Sequence, residues 1–249
     1  DPSRFGNFPA GRLNGEITAT GALEPSWHVD GKIAIGSGSQ IAGVPLAGKL
    51  NATLAPRALR DATIDLTLAS AHLTASGNYG AGTDELKLAF DAPKLAELAP
   101  LLPARAPKPL AGALNINATM RGAPERGAFE LTAQGSELKI GNQLSVGSFD
   151  ARASVAAATA GAQSAQLGER LLRVELGATQ LAAPPGTFAR ARVSVDGTLA
   201  QHNATLSCTG DELDVEASAH GGLREARAAA GEAAWTWSGF VDTLENRGP

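Results

Sequence analysis

The residues of this 249-residue chain that could do chemistry are four histidines, one cysteine, scattered carboxylates and three tryptophans. Their spacing argues against catalysis. His28, His72, His202 and His220 lie far apart and outside any CxxC, HExxH or HxxxH setting, so neither a metal site nor a cofactor is predicted. There is no GxSxG elbow, Walker loop or dinucleotide fingerprint. The glycines of Gly36-Ser-Gly-Ser-Gln-Ile-Ala-Gly fall between strands rather than ahead of a helix, which reads as a turn. Asp65, Glu130, Asp214 and Glu216 alternate with apolar residues and read as a solvated strand face, not as an acid/base pair. Cys208 continues the alternation of Ala204 and Leu206, as a small apolar residue of one face. Asn51, Asn117 and Asn203 each open an Asn-Ala-Thr triplet, the form of a glycosylation acceptor, but their recurrence follows from related strand repeats. Trp27, Trp235 and Trp237 fit either binding aromatics or sheet-packing anchors. No enzyme is predicted.

The elements that position these residues are strands. In Leu13, Gly15, Ile17, Ala19, Gly21 and Leu23 the odd positions are apolar or small, while Asn14, Glu16, Thr18 and Thr20 between them are polar. A period of two puts one set on each face of a strand. The pattern returns at Ile64, Leu66, Leu68; Leu86, Leu88, Phe90; Leu114, Ile116, Ala118, Met120; Phe129, Leu131, Ala133; Val193, Val195, Leu199; and Leu213, Val215, Ala217, Ala219. The predicted fold is all-β: an elongated repeat sheet with one apolar side. The 43% hydrophobic content excludes wholesale disorder, yet 49 residues are alanine and only 11 are aromatic, which argues against a thick, filled core. With 21 basic and 25 acidic residues there is no basic stripe for a phosphate backbone, so no nucleic-acid partner is predicted. The chain begins at Asp1 without a signal-like segment and has no run of 18 apolar residues, which reads as a processed or excised segment.

An internal repeat recurs at an offset of about 101 residues: Ala10 to Leu23 matches Ala111 to Pro124, and Trp27 to Leu46 runs parallel to Phe129 to Phe149. Strand repeats punctuated by Gly and Pro indicate solenoids and related open-ended sheets. Two stretches depart from strand character. Leu95, Leu98 and Leu102 have helical spacing, with Asp91 available as N-cap and Pro103 as a stop, predicting a short helix inserted near 93–102. Residues 156–173 are ambiguous. Pro103-Ala-Arg-Ala-Pro-Lys-Pro is a stiff connector and a weak boundary at 103–109, too short to require separate domains, so residues 1–249 read as one elongated segment.

From Val195-Asp-Gly-Thr-Leu-Ala-Gln-His through Leu213 to Gly222 and on to Trp237-Ser-Gly-Phe, the chain resembles a stretch of the TamB family, the AsmA-like subunit of the bacterial translocation and assembly module. Gly197, Thr198, Leu199, His202, Trp237 and Gly239 are the matching positions. Gly77-Asn-Tyr-Gly through Leu86 to Pro100, followed by Leu110 to Gly122, resembles another unit of that family. The polar insertion Arg224 to Glu232 does not align.

The resemblance implies a β-taco, a sheet curled into an open trough, in the periplasm of a Gram-negative bacterium. It also implies phospholipid traffic to the outer membrane, or assembly and secretion of outer-membrane proteins and autotransporters. The implied partners are phospholipid acyl chains, a TamA-like outer-membrane barrel engaged by regions outside this segment, and the inner membrane through an N-terminal anchor absent from this sequence. On that reading the chain is an internal or C-terminal-half segment, and Ile17, Ile33, Ile35, Leu66, Leu68, Leu114, Ile116, Leu131, Val193, Val195 and Val215 are the expected wall of a lipid groove. The alternatives are a scaffold holding client β-strands, and a structural or adhesive β-solenoid with a dry core.

Overall fold

The computed structural model describes residues 10–248 except 25, 104–106, 108, 124, 125, 159–166, 185, 212 and 228–232. Its strands form one antiparallel sheet whose spatial order follows the chain. β1 (Gly11–Arg12) and β2 (Gly15–Ala22) both pair with β3 (His28–Ile41), as one edge strand interrupted at Leu13 and Asn14. Next come β4 (Val44–Ala55), β5 (Ala58–Leu68), β6 (Ala71–Tyr79), β7 (Glu85–Ala92), β8 (Leu110–Arg121), β9 (Ala128–Ile140) and β10 (Leu144–Val155). β11 (Leu171–Ala183), β12 (Gly186–Thr198), β13 (His202–Thr209), β14 (Asp214–Arg227) and β15 (Ala233–Arg247) complete the sheet. β2 and β15 do not meet, so it is not closed into a barrel. At ~4.8 Å between strands, the path from β2 to β15 runs about 60 Å along the sheet.

The 101-residue repeat is a repeat of structure: β2, β3 and β4 correspond to β8, β9 and β10. The connector at 103–109 does not interrupt the sheet, since β7 and β8 on its two sides pair from Glu85↔Arg121 to Ala92↔Leu114. The unaligned Arg224 to Glu232 belongs in part to a hairpin: β14 and β15 still pair at Arg227↔Ala233, and residues 228–232 fall outside those described.

Alternation in sequence becomes alternation in exposure. Along Ala62–Leu68 of β5, Leu172–Leu176 of β11 and Asn203–Thr209 of β13 the polar positions are exposed and the apolar positions half-buried or buried. Among the described residues no second layer covers the apolar side; the elements with extensive contacts are sheet neighbours, apart from one short helix lying on β8 and β4. An uncovered face that is nevertheless the less exposed one is concave, because curvature crowds the side chains on its inner side. Register shifts supply bending points, at Asn51/Thr53 against β5 and at Ala111/Ala113 against β9. Gly48 (φ 143°) and Gly77 (φ 119°) adopt backbone conformations that a side chain rarely takes. A Cβ on either would overlap a carbonyl oxygen of the next strand, Asp65 or Glu85.

The inserted helix is present in a different form. It is a 3-10 helix over Leu95–Leu101, with Lys94 rather than Asp91 at its N-cap and no side-chain cap. Asp91 is in β7, where Asn115 Nδ2 donates to its carboxylate at 3.3 Å. The reason is Pro100, which has no N–H to extend an α-helical ladder. The bonds formed are i→i−3, from Glu97 N to Lys94 O (3.1 Å) and from Leu102 N to Ala99 O (3.2 Å). A second 3-10 turn, Leu167–Glu169, precedes β11.

Packing is concentrated in two patches. Ala71, Ala92 and Leu95 are buried together with Leu98, Leu110 and Leu114 against them, so the 3-10 helix caps one part of the apolar face. Ala178, Phe188, Ala191 and Cys208 form the other, with Phe149, Leu206 and Val215 alongside. Among the described residues no large side chain is fully buried, as the alanine-rich composition predicts. The dry core of a closed solenoid is not formed by these residues.

The apolar face and its rim

Residues paired directly across an antiparallel ladder lie on the same face, so the registers trace rows around the sheet. One row runs Ile17, Ile33, Leu50, Ile64, Ala75, Leu88, Ala118, Leu131, Ala153, Val174, Val195, Ala204, Ala219, Val241. Every member is aliphatic, from the first edge of the sheet to the last. Two residues along each strand, Ile35, Gly48, Leu66, Leu73, Phe90, Ile116, Ala133, Ala151, Leu176, Val193, Leu206, Ala217 and Leu244 make a second row. Leu68, Leu114, Phe149, Ala178, Ala191, Cys208 and Val215 belong to a third.

All eleven residues expected to line a groove therefore lie on one face. Ile33, Leu131 and Val195 join the first row with Ile17; Ile35, Leu66, Ile116 and Val193 occupy the second; Leu68, Leu114 and Val215 occupy the third. Ile17 differs in environment, being 72% exposed on the edge strand, where a neighbour shields one side only. Cys208 sits in the third row at 7% exposure, and burial pushes its thiol pKa up.

The opposite face is polar and laced with ion pairs. Arg121 bridges Glu85 (2.7 Å) and Glu130 (3.0 Å), and Arg173 bonds Asp196 (2.9 Å). Lys87 first and Arg121 second hold the Glu85 carboxyl below its usual range, and Asp196 raises the Arg173 guanidinium. A cleft of about 520 Å³ lies there beside Glu130, Ser154, Arg173 and Asp196, and one of about 590 Å³ beside Asp150, Glu175, Arg192 and Thr205.

The six motif positions do not lie along the middle of the apolar face; they build a corner of its rim. Gly197, one residue before the end of β12, has φ 142°, and a turn follows in which Thr198 N donates to Gln201 O (2.7 Å) and Gln201 N to Thr198 Oγ1 (3.0 Å). Leu199 is tied to both neighbours: its N–H donates to Arg170 O (3.1 Å) and its carbonyl accepts from Leu223 N (2.8 Å). His202, 7% exposed, uses both ring nitrogens. Nδ1 lies 3.0 Å from the carbonyl of Thr198, an acceptor, so Nδ1 carries the proton; Nε2 then accepts from Trp237 Nε1–H at 3.0 Å. The Trp237 ring lies against Gly221 and Gly239, where a Cβ would collide with it. Trp237 is thus a packing anchor. Side-chain placement of Trp235 is outside what is described.

Sequence reading missed Arg170. It is 8% exposed, and its Nε donates to Ala156 O (2.9 Å) and its Nη2 to Gly127 O. The available signal was register, for Arg170 continues the inward series Leu172, Val174, Leu176 and puts a cation where the alternation calls for an apolar residue. Among the described residues no group of three or more His, Cys, Asp or Glu could hold a metal.

A family model described as "TamB, N-terminal domain" matches residues 4–237. No curated protein and no solved structure matches the chain.

Proposed function

Because this chain belongs to the TamB family, a periplasm-spanning, inner-membrane-anchored translocation and assembly module, we propose that its concave face shields phospholipid acyl chains in transit between the inner and outer membranes. The observation that carries this reading is the aliphatic row from Ile17 to Val241, which crosses the whole sheet without a polar member and without a covering layer. Each acyl methylene removed from water contributes about 0.8 kcal/mol, so partial shielding of a dozen methylenes offsets roughly 10 kcal/mol of the cost of leaving a membrane. Repeated shallow contacts with small aliphatic residues favour sliding over tight capture. In this reading the module works in the periplasm of a Gram-negative bacterium with a TamA-like outer-membrane barrel, and carries out no chemistry of its own.

Native mass spectrometry with lipid extraction, on protein purified from a Gram-negative host, tests this directly. Co-purified phospholipid supports the conduit; lipid-free protein under conditions that retain lipid on a known carrier counts against it. Ile116→Glu puts a carboxylate in the second row and is expected to abolish lipid retention while the circular-dichroism spectrum stays that of a sheet. Support for outer-membrane protein assembly and autotransporter secretion is a second reading, favoured by one observation: β15 is a 15-residue strand that ends the sheet, with β14 as its partner among the described strands, and a client strand could add beside it. Binding of unfolded barrel peptides, lost on blocking β15, is its signature.

A further inference from the structure

At the rim of the apolar face, Arg170 is buried among neutral groups. Among the described residues the guanidinium makes two bonds, from Nε and Nη2 to backbone carbonyls, and Nη1 makes none. No carboxylate among the described residues pairs with it; the side chain that acts on it electrostatically is Tyr79 of β6, a neutral phenol. Burial accordingly pushes the guanidinium pKa down. Its position is specific as well. From Arg170 along β11, the inward positions Leu172, Val174, Leu176 and Ala178 lead into the apolar rows. At ~3.3 Å per residue they cover about 26 Å, against about 15 Å for the chains of one bilayer leaflet. A charge at the end of an apolar strip of that length has the layout of an amphiphile.

We propose that Arg170 receives the phosphate of a phospholipid whose acyl chains lie on the apolar rows. The inference rests on the acyl-shielding reading above and adds a head-group site to it. A guanidinium offering unused N–H donors matches phosphate oxygens in geometry, and a buried site strengthens the attraction. Lipids would then sit head-to-rim rather than in random orientation.

The test titrates the 249-residue protein with a short-chain phosphatidylglycerol below its micellar concentration, with an uncharged glycoside amphiphile of the same chain length, and with inorganic phosphate. Arg170→Met is compared with Arg170→Lys and with the outer-face control Arg173→Met. The expected result is at least tenfold weaker phosphatidylglycerol binding in Arg170→Met, partial recovery in Arg170→Lys, and no change in Arg173→Met or in glycoside binding by any variant. Unchanged glycoside binding also shows that Arg170→Met has kept its fold. Equal phosphatidylglycerol binding by wild type and Arg170→Met overturns the head-group site while leaving acyl shielding intact. Binding of inorganic phosphate as tightly as phosphatidylglycerol overturns the lipid assignment. Failure of wild type to bind either amphiphile overturns the acyl-shielding reading itself.

Discussion

Single residues here act mainly through backbone geometry and neutral hydrogen bonds. Gly48 has φ 143° and lies against the Asp65 carbonyl. Gly48→Ala is expected to cost about 1–3 kcal/mol in chemical denaturation, since strain and overlap coincide. Gly43, with φ 79° and open space around its Cα, is the comparison: Gly43→Ala carries the conformational cost alone, on the order of 1 kcal/mol. Trp237→Phe retains a ring over the glycines but leaves His202 Nε2 without its donor, which should cost about 1–2 kcal/mol. The same arrangement predicts that nitrogen NMR of His202 reports the Nδ1–H tautomer; the Nε2–H tautomer would refute it.

At the scale of elements, the 3-10 helix is the piece that the alternation does not account for, and it is fastened in two ways. Leu95 buries its side chain against Ala71 and Ala92, so Leu95→Ala is expected to lose about 2–4 kcal/mol of stability by denaturant titration. Glu97 Oε2 accepts from Ser70 N at 3.0 Å, tying the helix to the β5–β6 turn, and the Ser70 side chain first, with that backbone bond second and both ahead of nearby Lys94, holds its carboxyl pKa below the usual value. A carboxyl lowered in the folded state contributes above its unfolded pKa and loses that contribution as pH falls through the folded one. The Glu97 side-chain carboxyl signal is therefore expected to titrate below the ordinary glutamate midpoint, with a lower Ser70 amide protection factor under acid; Glu97→Gln should remove the pH dependence of that protection factor. A Glu97 midpoint at the ordinary value would contradict the tie.

At the scale of the whole molecule, the sheet is a ribbon of local pairings that runs from β2 to β15 without closing. The interior strands β8 to β13 are paired on both sides, while β15 is paired on one and carries exposed Val241 and Leu244. Hydrogen exchange should then show β15 amides that point away from β14 exchanging well ahead of those in β9, and uniform protection would mean that the edge is covered. An exposed apolar edge strand also invites pairing with other chains. Val241→Lys is expected to reduce concentration-dependent association in sedimentation velocity, without changing the protection of β8 to β13.

The sequence by itself determined that the chain is a sheet, which face of each strand is apolar, and that a two-strand unit recurs at an offset of about 101 residues. Each of these depends on neighbours a few positions away, because a period of two assigns Ile116 or Val195 to a face whatever the rest of the chain does. The tertiary structure decided what local spacing cannot express. Cross-strand register aligned Ile17, Leu131 and Val241 into one row, when a slip of one residue in any pair would have broken it. It also replaced an α-helix capped by Asp91 with a 3-10 turn, because β7 claims Asp91 for its ladder and Pro100 cannot supply an N–H. Arg170 is the clearest case of all: its charge is plain in the sequence, but its burial beside the carbonyls of Gly127 and Ala156 comes from segments 43 and 14 residues away that only the folded sheet brings to the same rim.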